Sequence, residues 1–150
     1  MDLRIDSALF GATVALLLWG VVGGVILRAA CAFHNKLNGG PFSLDAVPEP
    51  SVSRSMLISF LAVLATLVVN YFLFEGFGSY IRSNIKNWSM TTIFHTLLVH
   101  LFSFLVIGNV FSQMLPTTRG RGMLIAAYYS IVYVILVVII ASALLIFGIV

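Results

Sequence analysis

The side chains of this sequence that could do chemistry are few, and they gather between Asn70 and Gln113. His95 and His100 bring imidazoles, Asn70, Asn109 and Gln113 bring amides, and Glu75 brings a carboxylate. Such groups serve proton relays, metal or haem ligation, or hydrogen bonding between packed helices. A helix turns about 100° per residue, so His95 and His100, five positions apart, diverge by about 140° and cannot grip one metal ion together. The same arithmetic places Thr91, His95, Asn109 and Gln113 within about 40° of one another, and Thr92, Thr96, His100 and Ser103 on a second stripe. A segment that is polar on two faces needs partners on both and is expected to stand centrally. Asn70, Glu75 and His95 can converge where one helix ends and the next begins; a carboxylate beside an imidazole shuttles protons or simply neutralises a boundary.

Outside that region the chemical inventory is thin. Cys31 is the single cysteine, which excludes an internal disulfide and any paired-cysteine redox or zinc motif. It lies near Arg28 and His34, where a lowered thiol pKa or an inert buried thiol are both consistent with the pattern. No GxSxG, HExxH or phosphate-cradling glycine loop occurs. No catalytic residue, metal site or cofactor is expected.

The elements that must hold these residues follow from composition. Of 150 residues, 61% are apolar and 9% are charged, against about 25% charged in soluble domains. Eight basic residues against five acidic ones are too sparse to bind nucleic acid, so the excess bears on membrane orientation. Four stretches, 7–27, 55–74, 87–118 and 122–150, contain no Asp, Glu, Lys or Arg. About 20 helical residues span the roughly 30 Å hydrocarbon core, and none of the four alternates as barrel strands do. The expected fold is all-α: one membrane domain of four transmembrane helices at about 7–33, 54–75, 91–115 and 121–149. The apolar run of the first helix exceeds a signal-peptide core, and Arg28 disfavours cleavage at Ala30-Cys31-Ala32, so retention is expected.

Two connections add detail. Phe77, Tyr80, Ile81, Asn84, Ile85 and Trp88 recur at helical spacing while Ser79, Arg82, Ser83, Lys86 and Asn87 face elsewhere. That pattern predicts a short amphipathic helix over about 76–89, lying in the headgroup region and anchoring two crossings. The loop over 34–53 begins where Gly39-Gly40-Pro41 stops the first helix. It ends where Val47-Pro48-Glu49-Pro50 runs extended and delivers Ser51 or Ser53 as an N-cap. By parity the 28–54 and 115–121 segments share one side. That side holds Arg28, Lys36, Arg54, Arg119 and Arg121; the other holds Arg4, Arg82 and Lys86. The larger basic count predicts a cytoplasmic loop side with both termini outside. His34 then lies on the opposite side from His95, and a bis-histidine haem would need a second chain.

Small residues mark candidate packing faces. Gly20 and Gly24 form a GxxxG pair, preceded by Ser7, Gly11 and Ala15, and Ser55, Ser59, Ala62, Thr66 and Asn70 make a stripe on the second helix. Arg28, Arg54, Arg119 and Arg121, with Trp88 at the other boundary, are candidates for lipid headgroup or partner contacts.

Chain length, four crossings and Arg28-Ala29-Ala30 with His34-Asn35 resemble the small homotrimeric eicosanoid- and glutathione-metabolising membrane enzymes. Their signature continues directly into a helix, whereas Gly39-Gly40-Pro41 interrupts it here, so no glutathione site is implied. Arg28-Ala29-Ala30, Asn35-Lys36-Leu37, Gly39-Gly40 and Val47-Pro48-Glu49-Pro50 are more similar to a family of small bacterial four-helix membrane proteins with no assigned activity. That resemblance covers about 25 residues and implies a bacterial inner membrane and no particular chemistry.

Three functions fit these observations. The first is a non-enzymatic accessory or scaffold subunit, partnered by the lipid bilayer and other membrane-protein subunits. The second is a homo-oligomeric transporter or channel with a path along His95, His100, Asn109 and Gln113. The third is a cofactor-carrying subunit.

Overall fold

The computed structural model describes residues 3–84 and 88–146; among these the chain is entirely helical apart from its connections. The helices are α1 (Leu3–Leu37), α2 (Val52–Asn84), α3 (Trp88–Met114) and α4 (Arg119–Ile146). Each contains an apolar stretch long enough to cross a membrane, at Thr13–Leu37, Val52–Gly76, Thr96–Met114 and Arg119–Ile140. The four prolines, Pro41, Pro48, Pro50 and Pro116, all fall between helices. Proline removes a backbone donor and clashes with the preceding turn, so its absence from the apolar runs lets each propagate unbroken.

Local signals set the ends. After α1 the backbone turns through Gly39 and Gly40, at φ +91° and +93°, and the Gly40 amide bonds the Asn35 carbonyl at 2.8 Å. Side chains rarely adopt such φ values. Gly40→Ala is therefore expected to destabilise the protein by about 1 kcal/mol, read as a lowered thermal midpoint in detergent, although nothing lies within 4 Å of the position. At the start of α2 the Ser51 hydroxyl accepts from the Arg54 amide at 3.4 Å, which makes Ser51 the N-cap.

The segment expected as a separate interfacial helix over 76–89 is different as far as Asn84: it is the last part of α2, which runs on without a break. Glu75 and Arg82 mark where the chain leaves an apolar environment, not where its helix must stop, and no proline intervenes. Residues 85–87 lie outside the described set. α1 likewise extends beyond 7–33 at both ends and is about 52 Å long at 1.5 Å per residue.

The helices pack in a ring. α1 packs against α2 and α4, α3 packs against α2 and α4, and neither diagonal pair brings its backbones close among the described residues. α3 is thus not a central helix but one of four equal staves, and its apolar span is the least buried. Close approach relies on glycine: a Cβ at Gly24 would meet the Met56 backbone at 2.9 Å, and one at Gly23 would meet the Tyr129 hydroxyl at 2.7 Å. Gly122 fits against Ser112, and Gly108 against Met123. Leu27, Cys31, Ile58, Ala62, Phe111, Ile125 and Ala126 fill the interior, with Phe111 meeting Tyr129 edge-on at 5.3 Å.

This core belongs to the half of the bundle that carries the 38–51 and 115–118 connections. Farther from the loops, α4 is exposed at every position from 131 to 135, which takes in all its faces. Exposed apolar side chains on a membrane helix are the surface offered to lipid.

Candidate functional site at the loop end

Among the described residues, the polar side chains between Asn70 and Gln113 have separate surroundings. Asn70 on α2 faces α3, where its Oδ1 lies 3.4 Å from the Ser103 hydroxyl. That hydroxyl already donates to the Val99 carbonyl at 2.6 Å. His100 is exposed and its Nδ1 donates to the Thr96 carbonyl of its own helix at 2.8 Å. Asn109 and Gln113 are exposed one turn apart, Gln113 Nε2 donating to Asn109 Oδ1 at 3.5 Å. His100 and Asn109, nine residues apart, point to opposite sides of α3. Glu75 is exposed near the end of the α2 apolar span. The side chains of His95 and Trp88 lie outside the described residues. No polar path through the ring joins the groups that are described.

The packing positions divide in two. Gly20 approaches Phe60 and Gly24 approaches Met56, both on α2 of the same chain, while Ser59 and Ala62 are buried and Thr66 is half-buried. Gly11 and Ala15 are exposed, and nothing lies within 4 Å of a Cβ placed at Gly11. Gly23, which the GxxxG pattern omits, sits against both Ser59 and Tyr129.

The densest polar organisation is at the loop end, around residues that sequence spacing does not single out. The opposition of Gly24 and Met56 sets Val52 level with Arg28 in an antiparallel pair, so α1 continues past the start of α2. The 38–51 connection folds back along this overhang to reach α2. Asn35 holds it there: its Nδ2 donates to the Val47 carbonyl at 2.9 Å, and its Oδ1 accepts from the Val47 amide at 2.8 Å. Both residues are buried, so one side-chain amide satisfies both backbone groups of a buried residue. His34 is 2% exposed, its ring 6.2 Å from that of Tyr128, with Asn38 Nδ2 at 3.4 Å from Nδ1 and no partner for Nε2. Leu27, Ala30, Cys31 and His34 recur at three-to-four spacing, and that stripe is the available sign that His34 faces inward.

The arginines differ in what they hold. Arg121 pairs with Asp45, joining α4 to the 38–51 connection. Arg54 donates to the Met114 carbonyl at 2.8 Å and so satisfies a helix-end acceptor of α3. Arg119 is exposed, its carbonyl 3.3 Å from the Ser112 hydroxyl. Arg28 is half-buried with Nε unpartnered, beside a groove of about 290 Å³ that Glu49 also lines. Among the described residues no three His, Cys, Asp or Glu side chains come together as a metal site would require. No protein-family model, curated protein or solved structure matches this chain.

Proposed function

We propose that the chain is a non-enzymatic accessory or scaffold subunit of a larger complex in a bacterial inner membrane, with the 38–51 and 115–118 loops cytoplasmic. The observation that carries this reading is the exposed amide pair on α3. Phe102, Leu105, Asn109 and Gln113 form one outward stripe at helical spacing, all exposed. Asn109 lies only about 6 Å along the axis from the middle of the Thr96–Met114 span. Amide groups facing hydrocarbon cost several kcal/mol when unpaired, and the 3.5 Å contact between the two uses one donor and one acceptor of the set. A partner helix supplying polar groups would satisfy the rest.

Native mass spectrometry of particles gently extracted from the source membrane tests this. Stoichiometric unrelated chains are expected with the wild type. The double variant Asn109→Leu, Gln113→Leu is expected to lose them while its own thermal midpoint stays level or rises, because apolar residues then meet lipid. A wild-type particle with one chain only sinks the reading. A particle containing several copies of this chain and nothing else directs attention to flux through an oligomer instead.

A further inference from the structure

We propose that the groove between α1 and the start of α2 seats the headgroup of a phospholipid bearing a primary ammonium, of the phosphoethanolamine class. Three observations carry this. The groove, about 290 Å³, is lined by Arg28 and Glu49 together with Val25, Ala29, Ala32, Val52 and Ser55. One positive and one negative side chain thus share a largely apolar recess, with the Ser55 hydroxyl turned to the Val52 carbonyl, that opens to the outside of the ring. The two do not pair with each other; the ion pair among the described residues is Arg121 with Asp45. Arg28 Nε is buried with no partner, an uncompensated donor on a cation that ordinarily finds an oxyanion.

The position suits a lipid headgroup. Arg28 lies about 13 Å along α1 from Leu37, level with the first turn of α2 and below the overhanging loop, where hydrocarbon gives way to headgroups. The volume is at the lower edge of small-molecule sites, which matches a compact headgroup whose acyl chains run down past Val25 along the exposed bundle surface.

The charge pattern selects among lipids. A phosphate meets the Arg28 guanidinium in a fork geometry. An ammonium with N–H donors meets the Glu49 carboxylate. A choline group has no N–H to donate, and quaternary ammonium is held by aromatic faces, none of which line this groove. An anionic glycerol headgroup would satisfy Arg28 but place its remaining polar end against Glu49 without a charge to match it. The inference stands apart from the accessory-subunit reading, because the groove and the α3 amide pair are on different helices.

The test titrates the purified full-length chain in detergent with phosphatidylethanolamine, phosphatidylcholine and phosphatidylglycerol, counting bound lipid by native mass spectrometry. Wild type is expected to bind one phosphatidylethanolamine roughly tenfold more tightly than either other lipid, the value of one charge-assisted hydrogen bond. Glu49→Gln, an exposed loop position, should erase the preference over phosphatidylglycerol while phosphate-dependent binding remains. Arg28→Gln should weaken all three lipids. Equal binding of the three lipids to wild type overturns the proposal, as does an unchanged preference in Glu49→Gln. The Glu49 result decides the matter even if Arg28→Gln fails to fold.

Discussion

Gly24→Leu is expected to remove about 3 kcal/mol or more of stability, enough to keep most of the chain from accumulating folded. A Cβ at this position would lie 2.9 Å from the Cα and backbone nitrogen of Met56. Those atoms belong to the helix backbone and cannot rotate away as a side-chain tip can. α1 and α2 must therefore separate, which opens the buried interior around Leu27 and Ile58. The comparison is Gly11→Leu on the same helix, where nothing lies within 4 Å and the expected change is within about 0.5 kcal/mol. Titration of both variants with a denaturing detergent, followed by helicity, measures the difference. Equal midpoints for Gly24→Leu and wild type would show that α1 and α2 do not meet at this level.

Asn35→Leu is expected to cost about 2–6 kcal/mol, the sum for two buried backbone groups left without partners. Leucine fills the space but offers nothing to the Val47 amide or carbonyl, both of which the native Asn35 bonds. The effect should be local before it is global, because what Asn35 fastens is the connection between α1 and α2. Trypsin cleavage after the exposed Lys36 should accelerate in the variant at temperatures where the helices remain folded. Asn35→Asp should not rescue it: a carboxylate still accepts from the Val47 amide but sets its charge against the Val47 carbonyl. Cleavage at the wild-type rate in Asn35→Leu would mean that the loop is held by something else.

The crossings are legible in the sequence because the chain repeats their signal over some twenty residues at a time and confines its prolines to the connections. Gly39-Gly40 and Ser51 are legible for a different reason, since each performs a local task that needs only its neighbours. Contacts between helices are legible only in part. The spacing of Gly20 and Gly24 announces that a backbone can come close, and in the structure one does. Gly11 and Ala15 announce the same capacity, yet both are exposed among the described residues. Small residues show what an approach would permit and do not show what arrives.

His34 and Asn35 read as loop residues in the sequence because they are polar and follow Arg28. They are instead buried in the last turns of α1, since α2 begins lower and the returning connection covers them. That burial depends on the relative heights of two helices, a quantity no single-helix pattern contains. The separate helix expected over 76–89 misleads for the converse reason. Polarity there reports the depth at which α2 leaves an apolar medium, and the backbone continues regardless of solvent. The polar stripes of α3 suggest two partnered faces. In a ring of four, one face of every helix has no neighbour from its own chain, and on α3 that face carries Asn109 and Gln113.

The uneven distribution of the core has a consequence for how the protein meets bilayers of different thickness. At the loop end Arg54 on the Met114 carbonyl ties α2 to α3, Arg121 on Asp45 ties α4 to the 38–51 connection, and buried side chains fill the space between the helices. Among the described residues, fewer side chains are buried toward the other end. A thicker or thinner membrane usually forces a helix to tilt; here the buried side chains and tied connections of the loop end make it the base about which such tilting occurs. Hydrophobic mismatch is then absorbed far from the loops, and the geometry around Asn35, Arg28 and Glu49 stays constant from one membrane to another.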